Sequence, residues 1–130
     1  MRRTAWILAA ALLSLAACGG GATAPGGGGG GGGGGPVGQI TVGNIFFRSA
    51  HNGSQNPAVD TIAAGSSVTW VWNAAGSHSI QSTGTPGIFR NSVIMDQAND
   101  SYTVTFDTPG TYTYQCSVHG AAMTGRIVVQ

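Results

Sequence analysis

The chain has 130 residues, of which only 7% are charged, and its formal net charge is +1. So few charges provide no basic surface for a nucleic acid, and we expect no nucleic-acid partner. From residue 38 onward the chain contains three arginines, four aspartates and no lysine. A protein partner of this region should therefore bind through shape and apolar contact rather than through long-range electrostatic attraction.

The N-terminus has the features of an export signal. Two arginines precede an apolar run of eleven residues, Ala5–Leu15, which is too short to cross a bilayer as a helix. The following Leu15-Ala16-Ala17-Cys18 resembles a bacterial lipobox, in which cleavage occurs before a cysteine that then carries lipid. We expect a signal peptide over residues 1–17 and a protein anchored through Cys18 on the periplasmic or cell-surface side of a bacterial membrane. The alternative is an ordinary signal peptide with a chance cysteine.

Residues 18–37 should form a flexible tether. They include ten consecutive glycines, Gly26–Gly35, between Pro25 and Pro36. A segment without side chains buries no apolar surface to offset the entropy that it would lose on ordering. A Gly-rich coil of this length has a root-mean-square reach of roughly 24 Å. The folded domain is therefore expected over residues 38–130.

The domain has the pattern of short β-strands separated by turn residues. Apolar and polar residues alternate, and no segment of helical length has a helical apolar period. The predicted strands are Gln39–Phe47 (one or two strands), Ser66–Asn73, Ser101–Phe106, Thr111–Cys116 and Gly125–Val129, and the predicted loops are Gln55–Asp60 and Gln81–Gly87. This pattern predicts an all-β fold, either a Greek-key sandwich or a barrel. The aromatic residues expected in or near its core are Phe46, Phe47, Trp70, Trp72 and Phe106.

Cys116 is the most informative residue of the domain. The chain has two cysteines, so lipidation of Cys18 would leave Cys116 without a disulfide partner in the chain. Small exported domains usually pair their cysteines, and a bound metal is the natural explanation for a free thiol there. Cys116 ends a predicted strand on its inward face, and His119 and Met123 follow within seven residues.

The types of donor indicate copper. A zinc site needs four strong ligands, and an iron–sulfur cluster needs more cysteines than the chain has. One cysteine, two histidines and a weakly bound methionine suit a blue-copper electron-transfer centre. The second histidine is either His78, in a loop after a predicted strand, or His51, in a polar loop. We favour His78 because it lies at the edge of a structured element.

Three segments of the domain resemble the cupredoxins, and among them the plastocyanin-like group. The segments are GSSVTWVWNAAGSHSI, YTVTFDTPGTYTYQCSVHGAAMTGRIVV and, more weakly, QITVGNIFF. The resemblance implies an eight-stranded Greek-key sandwich with a single type 1 copper near one end. It also implies that His78, Cys116, His119 and Met123 are the copper ligands.

The chain departs from the pattern of this family in two places. Three residues separate His119 from Met123, whereas plastocyanin-like loops often have four and amicyanin-like loops two, so the axial bond from Met123 is expected to be long. Ser79 stands where plastocyanins usually carry an asparagine that ties the two ligand loops together. We expect a hydrogen bond between Ser79 and Ser117 to replace that contact.

Two interpretations without a metal compete with the copper site. The Tyr114-x-Cys116 pattern resembles the tyrosine corner of immunoglobulin-like domains, but those domains pair that cysteine with another, and none is available here. Alternatively, Cys116 is a buried structural cysteine, His119 a surface residue and Met123 a core residue. The copper site is the interpretation that we favour.

The favoured function is electron transfer outside the cytoplasm by a monomer. Copper would cycle between Cu(I) and Cu(II), and redox proteins would dock weakly and transiently at the exposed edge of His119. We expect no enzyme activity, because a chain with three histidines lacks the further metal sites of copper enzymes. The main alternative is a copper-binding protein for metal buffering or delivery. A metal-free adhesive lipoprotein is a further possibility.

Overall fold

The computed structural model describes residues 34–85 and 87–130. The strands in this part of the chain are β1 (Gln39–Gly43), β2 (Phe46–Ser49), β3 (Ala58–Ile62), β4 (Ser66–Trp72), β5 (Gln81–Ser82), β6 (Ser101–Phe106), β7 (Gly110–Cys116) and β8 (Gly120–Val129). These residues form no helix, and so they contain no helical segment able to span a bilayer. The predicted signal peptide and Cys18 lie outside the described residues.

The strands form two four-stranded sheets with the orders β2-β1-β4-β6 and β3-β8-β7-β5. The β1–β4 and β3–β8 pairs are parallel, and the other pairs are antiparallel. Two packed sheets confirm the predicted all-β sandwich. The predicted strand Ser101–Phe106 is β6 with the same limits.

The inward faces of the two sheets form one aromatic core. Trp70 and Trp72 of β4 are completely buried, as are Phe47 of β2 and Cys116 of β7. Trp70 and Tyr114 meet edge to face, with ring centroids 5.3 Å apart. Most of the predicted core aromatics are therefore confirmed, and Phe46 is the exception, since it is only half-buried.

Two predicted loops contain strands. β3 lies partly within the predicted loop Gln55–Asp60, and β5 opens the predicted loop Gln81–Gly87. The sequence did not indicate β3 because Asp60 occupies a buried position of this strand, where the alternating pattern calls for an apolar residue. The last strand begins at Gly120 rather than at Gly125.

The two ends of the sandwich are distinguished by the direction of the strands. β4 and β7 both end at what we call the Cys116 end. The N-terminal segment enters at the opposite end, the Gly38 end, where Gly35 lies directly against Ala50 and Gly38 against Ser67. A strand of seven residues such as β7 spans roughly 20 Å, which is the approximate separation of the two ends.

Candidate metal centre

A tight turn joins Cys116 to His119. Cys116 is the last residue of β7, residues 117–119 form the turn, and β8 begins at Gly120. Gly120 has a φ of 54°, a left-handed conformation that glycine adopts at little cost. The turn therefore returns the chain over the end of β7 and holds His119 close to the thiol.

A β-bulge directs Met123 to the same end of the sandwich. The pairing of β7 with β8 shifts from Gln115 opposite Thr124 to Cys116 opposite Gly120. The additional residues on β8 bend the strand, as bulges do. Met123 lies in this bulge and is completely buried. Its strand therefore positions it on the inward side, as it does the other buried residues of β8.

Three donor atoms converge at the Cys116 end. Cys116 Sγ lies 3.5 Å from His119 Nδ1 and 3.9 Å from His78 Nδ1. The donor atoms of the three residues are all within 4.8 Å of one another, and the two imidazole centroids are 4.9 Å apart. Metal–sulfur and metal–nitrogen bonds of roughly 2.0–2.3 Å place the donors of a tetrahedral site about 3.5 Å apart. The observed separations fit a single ion bound by all three residues.

The donors differ in their access to solvent. Cys116 and Met123 are completely buried and His78 is 2% exposed, whereas His119 is half-buried. Cys116 is a free cysteine, and its burial shields the thiol from oxidants and disulfide exchange. The site is therefore closed on the protein side and reaches solvent at His119.

The environment of His78 favours the neutral form of its imidazole. Burial, and then the charge on the neighbouring His119, lower the pKa of His78 below its ordinary value of 6.5. Both effects disfavour the imidazolium form. A neutral imidazole is the form that binds a metal.

A serine pair joins the two segments that carry the donors. Ser79 Oγ and Ser117 Oγ are 2.6 Å apart, and the Ser117 N–H donates to Ser79 Oγ at 3.1 Å. This contact confirms the predicted hydrogen bond between the two serines. It links the residues next to His78 and Cys116 and so helps to hold the two donor segments together.

The backbone of His78 is paired with Met95. The His78 N–H donates to the Met95 carbonyl at 3.0 Å, and the Met95 N–H donates to the His78 carbonyl at 2.9 Å. Nothing in the sequence indicated a role for Met95. An isolated bridge of this kind has no strand pattern around it that could have indicated it. Both hydrogen bonds are made by main-chain atoms, which every residue type except proline provides, so the identity of Met95 gives no indication of them.

His51 lies outside the donor cluster. Its Nδ1 is 3.8 Å from Asp60 Oδ1, and its side chain is 48% exposed. Between the two candidates left open by the sequence, the structure brings His78 to Cys116 and His119. One thiol, two imidazoles and a buried thioether at the same end of the sandwich are donors that suit copper.

Comparisons with known proteins agree with this site. The model of the family described as copper binding proteins, plastocyanin/azurin family, matches residues 54–130. The chain is 40% identical over 82 residues to the chloroplastic plastocyanin of Tetradesmus obliquus, covering 57% of this chain and 57% of that protein. It is 39% identical over 77 residues to amicyanin-alpha of Methylorubrum extorquens, covering 58% and 63%.

A solved structure has a similar fold. It is described as a purple cupredoxin from Nitrosopumilus maritimus, with a TM-score of 0.55 and 28% identity. The similarity covers 71% of this chain and 98% of that one. The two sequence relatives are matched over less than two thirds of their own lengths, so their similarity concerns the domain rather than the whole proteins.

Proposed function

Because the chain belongs to the plastocyanin/azurin family of copper binding proteins, with copper as its cofactor, we propose that it is a one-electron carrier. Its single type 1 copper would be held by His78, Cys116, His119 and Met123. The observation that carries this proposal is the convergence of three donor atoms within 4.8 Å. When bound, copper would supply the Cu(I)/Cu(II) couple.

The protein supports this role by holding the donors in place. Cys116 is fixed at the end of β7 and His78 by two main-chain hydrogen bonds with Met95. The serine pair then ties the two donor segments together. Donors held on such supports change position little between oxidation states, and a carrier needs that property to exchange electrons rapidly.

The half-buried His119 is the proposed port for electrons. Its neighbours Val118, Ala121 and Ala122 are exposed, and none of them carries a charge. A small apolar surface around the port favours brief docking of redox proteins over stable assembly. We therefore propose redox proteins as transient partners of a monomeric domain, in keeping with the similarity to proteins named plastocyanin and amicyanin.

Copper buffering or delivery is the alternative function. A delivery protein must release its metal, which favours exposed and mobile donors. Here Cys116 and Met123 are completely buried and His78 is 2% exposed. This burial favours the carrier over delivery, and no described cluster of donors other than this one suggests the additional metal site of a copper enzyme.

Cyclic voltammetry and metal retention test the carrier against the delivery protein. For the carrier we expect a reversible one-electron wave and retention of copper through repeated cycles in the presence of a competing chelator. Loss of copper to the chelator on each reduction would instead support delivery. A protein that binds Cu(II) without thiolate-to-copper absorption near roughly 600 nm, which the cupredoxin resemblance implies for a Cys donor, would contradict both versions of the site.

We further propose that the protein is exported with residues 1–17 as a signal peptide, anchored by lipid on Cys18 and tethered by residues 18–37. The N-terminal segment approaches the domain at the Gly38 end, so an anchor there leaves His119 accessible at the other end. In a bacterial host, Cys18→Ser should release the protein from the membrane fraction or block its processing. A Cys18→Ser protein that has lost residues 1–17 and still fractionates with the membrane would exclude the lipid anchor.

A further inference from the structure

The segment that carries His78 depends on other residues for its position. Five residues, 73–77, separate His78 from Trp72 at the end of β4, and this connection contains no strand. The His78 backbone makes both of its hydrogen bonds to Met95. A group that orients the Met95 carbonyl, which accepts the His78 N–H, therefore also helps to orient His78.

The buried indole of Trp72 orients the Met95 carbonyl. Trp72 is completely buried, and its Nε1–H donates to the Met95 carbonyl at 3.2 Å. The same oxygen accepts the His78 N–H at 3.0 Å. A carbonyl oxygen has two lone pairs and can accept both bonds.

Trp72 is itself fixed at the Cys116 end. Its N–H donates to the Asp100 carbonyl at 2.9 Å, and its carbonyl accepts the Asn99 N–H at 2.8 Å. These bonds join β4 to the residues that lead into β6. The indole is therefore held by the sheet, and its N–H is a stationary donor for the Met95 carbonyl.

We propose that Trp72 is a positioning residue of the metal site, acting on His78 through the Met95 carbonyl. The inference rests on the proposed function only in that His78 is taken as a copper ligand. Cys116 and His119 are held by β7 and its turn, so they do not depend on this indole. Loss of the indole N–H should loosen the His78 side of the site and leave the β7 side in place.

Trp70 provides a matched control in the same strand. It lies two residues before Trp72, faces inward and is also completely buried. Its Nε1 makes no hydrogen bond of normal geometry among the described residues, and its ring instead stacks on Phe89 at a centroid distance of 5.8 Å. The two tryptophans therefore lie in the same strand and are equally buried. They differ in that only the indole N–H of Trp72 donates a hydrogen bond of normal geometry within the described residues.

Native-state hydrogen exchange of Trp72→Phe and Trp70→Phe in the metal-free full chain tests the proposal. In Trp72→Phe the Met95 carbonyl loses one of its two donors. We therefore expect the amides of His78 and Met95, which pair these two segments, to exchange roughly tenfold faster than in the wild type. The amide of Ile127 in β8 reports global stability, and the rates are compared after correction for it. In Trp70→Phe the corrected rates at His78 and Met95 should stay within about twofold of the wild type.

A second replacement separates the N–H from the bulk of the ring. Benzothienylalanine at position 72 has the shape of tryptophan with sulfur in place of the N–H, so it avoids the cavity that phenylalanine leaves. It should reproduce the faster exchange at His78. Unchanged exchange with benzothienylalanine, or equal acceleration in Trp70→Phe, would overturn the proposal.

The copper-loaded protein distinguishes failure of this proposal from failure of the proposed function. With the indole N–H removed, we expect the thiolate absorption to persist with a shifted maximum, because Cys116 stays in place while His78 moves. Thiolate absorption that is identical in the wild type and in the benzothienylalanine variant would overturn the role of Trp72 toward the metal. If the copper-loaded wild type itself lacked this absorption, the copper site would be wrong. The hydrogen-exchange experiment would still decide whether Trp72 positions His78.

Discussion

Each end of the sandwich brings a histidine close to a buried group, yet the two groups are surrounded differently. At the Gly38 end, the Asp60 carboxylate accepts the Gly38 N–H at 2.9 Å, the Thr61 N–H at 3.0 Å and the Ser49 hydroxyl at 3.5 Å. His51 is only a peripheral neighbour, 3.8 Å away. At the Cys116 end, the thiol has two imidazole nitrogens as its polar side-chain neighbours within residues 34–85 and 87–130, at 3.5 and 3.9 Å.

This difference separates a structural group from a metal-binding one. The hydrogen bonds to Asp60 engage both of its oxygens. They join β3 of one sheet to Ser49 in the edge strand β2 of the other sheet, and to Gly38, which directly precedes β1. A buried carboxylate that is satisfied in this way contributes to the fold. The sulfur and ring nitrogens at the Cys116 end lie within 4.8 Å of one another, a spacing at which all three can bind one metal ion.

Replacement of the thiol should have the largest effect. In Cys116→Ser the strong visible absorption of the Cu(II) protein should disappear, because a hydroxyl cannot supply the thiolate donor. The fold should persist, since the side chains are close in size. The absorption spectrum and a far-ultraviolet circular dichroism spectrum measure the two outcomes. If the Cys116→Ser protein retained its colour, the thiol would not be a copper ligand, and the Cys116 end would not be the metal-binding end of the sandwich.

The two histidine positions should respond in opposite ways. His78→Ala should abolish or strongly alter the copper spectrum, because one of the three converging donors is lost. His51→Ala should leave the spectrum nearly unchanged, because its ring lies beside Asp60 and not beside the thiol. The comparison is made on equally copper-loaded samples. If His51→Ala were the variant with the altered spectrum, the assignment of the metal to the Cys116 end would be wrong.

Removal of the buried carboxylate should reduce stability without affecting the metal. Asp60→Ala leaves the Gly38 N–H and the Ser49 hydroxyl without their acceptor, and we expect a loss of about 2–4 kcal/mol in the free energy of unfolding. Urea unfolding of the metal-free protein measures it. The exposed Asp107 is the control, since Asp107→Ala should change stability by less than about 0.5 kcal/mol. Equal effects of the two substitutions would show that Asp60 does not tie the sheets together.

The smallest effect is expected for replacement of Met123. The variant should still bind copper, and at the metal site only the reduction potential should change. Met123→Leu preserves size and apolarity and should cost less than about 1.5 kcal/mol in stability. The colour should survive, and the reduction potential should rise by at least about 59 mV, a tenfold change in relative affinity for the two oxidation states. Met95→Leu is the matched control, because the known contacts of Met95 with His78 involve its main chain. If the reduction potential were unchanged in Met123→Leu, Met123 would be a packing residue and not a copper ligand.

Much of the fold was predictable because strands have a local signature. Alternation identified the inward residues of β4 and β7, and turn residues separated the strands. β3 was not predicted, because aspartate is typical of loops and the donors that satisfy the buried Asp60 are not evident from the sequence. Those donors come from Gly38 and Ser49, which are distant in the sequence, and no local pattern contains them.

The sequence by itself determined that three of the four candidate donors lie close together. Cys116, His119 and Met123 fall within eight residues, and a chain of that length cannot carry them far apart. It also restricted the metal, since one thiol and few histidines exclude most other sites.

Only the tertiary structure decided which histidine completes the cluster and what holds it. His78 is 38 residues from Cys116, so their approach depends on how the two sheets pack. The same holds for the indole of Trp72, which reaches the Met95 carbonyl across 23 residues. The physical reason is that covalent connection limits distances only over short stretches of chain, whereas contacts between distant residues are fixed by the packing of the whole core.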